Sequence, residues 1–149
     1  MKVSKSFKKR PLTVAVQAVC YSMLGMTPLA HAGFVDARIV DGSGTVTESG
    51  LTTNVNQASQ RLGMTAQSLN LTVNERLIFD QPNTSAIALV RILGNDGSTI
   101  AGRIDANGKV ILANPNGVFF TSTATLNVGS IVASGLDISP SAFMNGQYI

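Results

Sequence analysis

The pattern of hydrophobic and polar positions divides this chain into stretches of different character. Residues 2–10 are basic, with Lys2, Lys5, Lys8, Lys9 and Arg10, and residues 11–32 carry no Lys, Arg, Asp or Glu. Residues 33–56 are polar and turn-rich, with Asp41-Gly42-Ser43-Gly44 leading into Thr45-Val46-Thr47, which predicts an exposed lead-in over 33–49 with one or two short strands. Residues 57–69 are the one stretch where a helix is conceivable. Leu62, Met64 and Leu69 are poorly spaced for it and Gly63 interrupts it, so a helical or irregular cap is expected there. From Leu69 the period becomes two: Leu69, Leu71 and Val73 alternate with Asn70, Thr72 and Asn74. Short apolar runs follow at 77–79, 87–90, 110–112, 118–120 and 131–132, separated by turn residues.

Five Asn-Gly or Asp-Gly dipeptides, at 41–42, 96–97, 107–108, 116–117 and 145–146, reinforce the turn reading. Regular short strands leave a sandwich or barrel on one side and a parallel β-helix on the other. Strict alternation with Asn-Gly loops would favour antiparallel hairpins. Here the runs 87–90 and 110–112 are continuously apolar, with small residues such as Ala101, Gly102, Ala113, Gly129 and Gly135 among them. That suits tightly wound coils with a narrow interior, although no fixed-length repeat is visible.

Charge changes the picture less than the totals suggest. The whole chain of 149 residues has 11 Lys+Arg against 8 Asp+Glu. Five of the cations precede the first apolar run. From Gly33 onward six basic residues face eight acidic ones, so the body is mildly acidic and offers no basic footprint for nucleic acid. The basic start, the uncharged run and Ala30-His31-Ala32 before Gly33 match a secretory signal peptide over 1–32, cleaved between Ala32 and Gly33. The competing reading is a membrane anchor, for which Gln17, Tyr21, Ser22 and Pro28 make a poor spanning helix.

Cleavage would remove Cys20 and His31, the only cysteine and the only histidine. The mature chain then has no disulfide, no Cys/His zinc site, no Ser-His-Asp triad and no Cys-His pair. No catalytic, metal or cofactor-binding residue is assigned. Asp96, Asp105 and Asn107 miss the spacing of a calcium loop. Asp80, Asp96, Asp105 and Asp137 could in principle supply a glycosidase pair, but each stands in or beside a turn. Asn70-Leu71-Thr72 and Asn83-Thr84-Ser85 match the glycosylation tripeptide, a pattern common by chance. Pro115 between Asn114 and Asn116 marks a turn, and Asn114 is also a candidate for a buried coil corner bonded to neighbouring backbone. Asn127 is a second candidate structural asparagine.

Several of these segments, in this order, resemble a known family. Gln81-Pro82, residues 86–92, Ser98-Thr99-Ile100-Ala101-Gly102, residues 110–119 and residues 126–138 are similar to the N-terminal two-partner secretion domain of filamentous haemagglutinin-like exoproteins, also called the haemagglutination activity domain. The resemblance covers the chain from about Gly50 to its end. It implies an all-β fold, a right-handed parallel β-helix (solenoid) with an N-terminal cap, preceded by a helical signal peptide. It implies a secretion motif at Asn114, Pro115, Asn116, Gly117 and Val118, and no enzymatic activity. It implies recognition in the periplasm by the POTRA domains of an outer-membrane β-barrel transporter, then delivery to the cell surface or medium. Full-length members are adhesins, haemolysin-like proteins or contact-dependent inhibition toxins that meet host or other cells. The chain departs from the family pattern at Val90, Thr121 and Asn74-Glu75. The family domain also extends further than 50–149, so the chain reads as ending within it. Two other readings stand beside this one: a β-helix enzyme acting on polysaccharide, and a small secreted binding protein.

Overall fold

The computed structural model describes residues 33–147. They form twelve strands and one short helix: β1 Gly33–Val35, β2 Arg38–Asp41, β3 Gly44–Ser49, β4 Thr52–Gln57, β5 Arg61–Ala66, β6 Ser68–Asn70, β7 Arg76–Asp80, β8 Ile87–Ile92, β9 Ser98–Ile100, β10 Arg103–Ala113, β11 Val118–Phe120, β12 Thr125–Ser134 and α1 Pro140–Met144. From β4 onward the chain winds as a parallel β-solenoid with three faces. The first face stacks β4, β7, the start of β10 and the start of β12, with Thr52, Arg76, Arg103 and Thr125 in one row. The second stacks β5, β8 and the ends of β10 and β12, with Arg61, Ile87, Lys109 and Ser130 in one row. The third carries β6, β9 and β11.

The first-face row advances by 24, 27 and then 22 residues per turn. These unequal turns explain why no fixed-length repeat shows in the sequence. The surplus residues sit in corners, where solvent tolerates them, while the strands keep register. In β10 and β12 the chain bends around a corner, the ladder pausing at Asn107-Gly108 and resuming at Lys109 after a register shift. Asn107-Gly108, a turn signal in sequence, is therefore a bend inside one 11-residue strand rather than a hairpin.

Residues 33–49 close the N-terminal end. Strands β1, β2 and β3 run antiparallel to β6, β5 and β4, one on each face of the first coil. Phe34 enters the core at 2% exposure. The turn at Gly50-Leu51 then reverses the chain into the solenoid. The cap is thus made of strands, which corrects the helical expectation for residues 57–69. Those residues include β5, whose Leu62, Met64 and Ala66 point inward at period two. Gly63, read as a helix breaker, lies opposite Asp41 at a register shift.

The interior is a column of aliphatic layers: Val55, Leu77, Phe79 and Ile104 from the first face, Leu62, Met64, Ala88, Val90, Val110 and Leu112 from the second, and Leu69, Leu71 and Ile100 from the third. Burying such a side chain contributes roughly 1.5–3 kcal/mol, and cysteine is absent from the described residues, so packing and backbone ladders hold the fold. Each corner pairs its buried polar groups. Gln81 donates from Nε2 to Gln57 Oε1 (3.0 Å) and to the Lys109 carbonyl (3.2 Å), and its Oε1 accepts from Gly108 N (2.8 Å). Glu75 Oε2 accepts from Thr72 N (2.7 Å) at another corner. No buried side-chain nitrogen or oxygen among the described residues lacks a partner.

The continuous apolar runs 87–90 and 110–112 have a simple cause. Their alternate residues Ile87, Leu89, Ile111 and Ala113 point outward but are buried, in a second cluster with Phe143 of α1. The segment after β12 folds back over the second face. Arg91 grips Asp137 with two hydrogen bonds (2.8 and 2.6 Å), and Arg61 donates to the Met144 carbonyl (2.6 Å). At the other end of the column β12 is an edge strand. Its inward-facing Leu126 and the inward-facing Phe120 of β11 remain 41% and 39% exposed. Among the described residues no helix is long and apolar enough to cross a membrane.

Candidate functional site

The corner between β10 and β11 gathers the residues singled out as a secretion motif. β10 delivers Asn114 from the second face, and Pro115 cannot extend a ladder because it has no N–H. Asn114 then turns the chain. Its Oδ1 accepts from Asn116 N (2.9 Å), an Asx turn, and its carbonyl accepts from Gly117 N (2.9 Å). Gly117 has φ +99°, a region that a side chain disfavours. Val118 begins β11 and packs against the core.

The asparagine also ties three coils together. Asn114 is fully buried, at 0% exposure. Its Nδ2 donates to the Asp96 carbonyl (3.1 Å) and to Ser98 Oγ (3.0 Å) on the coil before it. Its backbone N–H donates to the Ser134 carbonyl (2.9 Å) on the coil after it. Asn116 Nδ2 donates to the Gly94 carbonyl (2.9 Å). Buried amides that keep every partner cost little, whereas removal of one partner costs about 1–3 kcal/mol for each group left unsatisfied. The corner is therefore a staple whose polar atoms are turned inward. Its outward face carries Pro115, Asn116 and Phe119, whose ring lies against Gly97 and Gly117 and is 60% exposed.

The other candidate residues lie elsewhere. Asn127 is an exposed residue on the outer side of the first face, where its Nδ2 donates to Asp105 Oδ1 (3.1 Å). Asp105 also takes Arg103 (2.8 Å) and Arg76 (2.5 Å) in ion pairs. Hydrogen bonds from Arg103, then Arg76 and Asn127, hold its carboxyl well below the usual carboxylate range in spite of partial burial. It is thus a permanent anion at neutral pH and no proton donor. Asp80 shares its groove, Asp96 lies in the β8–β9 turn, and Asp137 pairs with Arg91 on another face. The four aspartates do not converge on one site. No group of three or more His, Cys, Asp or Glu able to hold a metal exists among the described residues. Ala30 and Ala32 lie outside the described residues, while Gly33 opens β1 opposite Asn70. Sequence reasoning missed Ser98, which resembles any turn serine, and missed the Arg91–Asp137 pair, whose 46-residue separation leaves no local signal.

Comparison with known proteins places this geometry. Residues 36–149 match the family model described as the TPS secretion domain. Two Haemophilus influenzae proteins named heme/hemopexin-binding protein are similar. One is 38% identical over 84 residues, covering 56% of this chain and 9% of the relative. The other, from strain Rd, is 32% identical over 124 residues, covering 78% of this chain and 14% of the relative. The chain thus spans less than a sixth of the length of these curated relatives. Among solved structures, the crystal structure of the HMW1 secretion domain from Haemophilus influenzae superposes with a TM-score of 0.73 at 29% identity, over 76% of this chain and 30% of that one. A four-turn β-solenoid with a strand cap, an Asn-Pro-Asn-Gly corner and a family match over nearly all its described length identify this chain as a member of the TPS family, the secretion domains of two-partner secreted exoproteins.

Proposed function

We propose that this chain is the export module of a larger exoprotein, handed across the outer membrane by a dedicated β-barrel transporter whose periplasmic POTRA domains recognise it. The observation that carries this reading is the family match over residues 36–149. The absence of cysteine from residues 33–149 supports it, because no disulfide would lock the chain before it threads a pore. So does the solenoid itself, in which each coil contacts its neighbours and can form as it emerges. The module performs no catalysis. Its best-positioned carboxylate, Asp105, is held by two arginines, and its motif asparagine is buried. Residues 1–32 act as the signal peptide, removed between Ala32 and Gly33. In support, Ala30-His31-Ala32 directly before Gly33 is the small-x-small pattern of signal peptidase cleavage.

The decisive experiment expresses the chain in a Gram-negative host with and without a family-type transporter and sequences the released product. Transporter-dependent release of a polypeptide beginning at Gly33 is expected. Equal release without the transporter, or retention in the periplasm with every transporter of the family tried, would overturn the proposal.

A further inference from the structure

We propose that residues 135–147 are a clasp: a unit that opens on its own, closes last, and fastens the first three coils from outside. The outer side of the first face is mainly polar, with Thr52, Asn54, Arg76, Arg103, Asp105 and Asn127 around a half-buried Ile78. The second face is different, since its outward residues Ile87, Leu89, Ile111 and Ala113 form an apolar strip. Covering that strip falls to a segment with little stability of its own. Helix α1 has five residues, capped by Ser139 Oγ accepting from Ala142 N (3.2 Å). An isolated helix of that length does not persist in water. It is held by docking, through the fully buried Phe143 and by two arginine anchors.

The anchors define what the clasp fastens. Arg61 belongs to the first coil and Arg91 to the second, while Ile111 and Ala113 belong to the third. The segment thus bridges three turns from outside, as Gln81 does from inside the column. Its contacts join residues 46 and 83 positions apart, so they form after the local turns have closed. Opening the clasp breaks none of the parallel ladders β5–β8 and β8–β10 beneath it. The segment therefore has the character of a low-stability unit on a more stable core. While it is open, the strip is an exposed apolar β-surface; when it shuts, Leu89, Ile111 and Ala113 are covered, and Val132 beside Ile111 on β12 stays 51% exposed.

The test uses the full chain and two variants, Phe143→Ala and Asp137→Asn. Cleavage by a nonspecific protease within 135–147, binding of an apolar fluorescent dye, and amide exchange in β4 and β7 are followed under native conditions. In Phe143→Ala, cleavage in the segment is expected to rise about tenfold or more and dye binding to appear, with exchange in β4 and β7 changed by less than about twofold. Asp137→Asn, which touches no core residue, is expected to show the same pattern at about two- to fivefold. Cleavage unchanged in both variants, or exchange in β4 and β7 rising in step with cleavage, would overturn the clasp.

Discussion

At the scale of the residue, buried amides and one locked carboxylate carry the testable content. Asn114→Ala removes donors from the Asp96 carbonyl and Ser98 Oγ and an acceptor from Asn116 N. At about 1 kcal/mol or more for each group left unsatisfied, a loss of roughly 2–4 kcal/mol is expected in denaturant unfolding. Asn116→Ala, which loses the Nδ2 bonds to the Gly94 carbonyl and to Asn114 Oδ1 at an exposed residue, should cost less, about 1 kcal/mol. Secretion that falls with Asn114→Ala in proportion to this lost stability would mark the motif as a folding staple. Asp105 makes the second residue-scale prediction. Its carboxyl titrates below that of the unfolded chain because Arg103 and Arg76 bond its anionic form. Its contribution is therefore complete above about pH 4 and lost as pH falls below that. Replacing it in Asp105→Asn should lower stability at pH 7 and flatten the acid arm of the stability curve, measured by urea unfolding between pH 2 and 7.

At the scale of the element, the same strand can be core on both sides or on one. Leu89 and Val40 both stand on β-strands of the solenoid and its cap, yet Leu89 is 0% exposed beneath the C-terminal segment and Val40 is 48% exposed. Leu89→Ala is expected to cost about 2–4 kcal/mol, whereas Val40→Ala should stay within about 0.5 kcal/mol. Equal costs would mean that the outer strip is not packed as described. Strand β12 differs again, because among the described residues one of its edges is unpaired and its inward Leu126 is 41% exposed. An unprotected edge of ten residues is a template for another strand. A polypeptide of residues 33–149 should therefore associate with rising concentration in sedimentation experiments. Leu126→Lys, placing a charge on the open end opposite Ile104, should suppress that association.

At the scale of the whole molecule, the solenoid is a stack in which stability accumulates coil by coil. The cap closes one end with three antiparallel strands, and the segment after β12 ties three coils from the side. From the capped end, each later coil can be laid on the edge of the coil before it. The fold-back segment covers the apolar strip of Ile87, Leu89, Ile111 and Ala113, while Val40, Phe119 and Val132 stand as exposed apolar residues elsewhere on the surface.

Much of this was legible in the residues. The inward Leu69 and Leu71, the cysteine-free body and the Asn-Pro-Asn-Gly turn follow from side-chain alternation and from the dihedral limits of Pro and Gly, which act locally and survive in sequence; the alternation expected to run on to Val73 stops short, because β6 ends at Asn70 and Val73 stands exposed in a turn. The solenoid reading came from continuous apolar runs together with the order of several motifs. What sequence could not settle was set by partners distant along the chain. Residues 57–69 hold a strand because Leu62, Met64 and Ala66 meet the column interior, a contact that no local window reveals. Asn107-Gly108 bends a strand instead of closing a hairpin because the residues on either side of it, up to Ala106 and from Lys109, pair with parallel neighbours on both sides. The clasp exists only where Arg61, Arg91 and Phe143 come together. Sequence determined which residues could pair and turn; tertiary structure decided which side of each strand would be covered, because coverage is a property of neighbours brought together by winding.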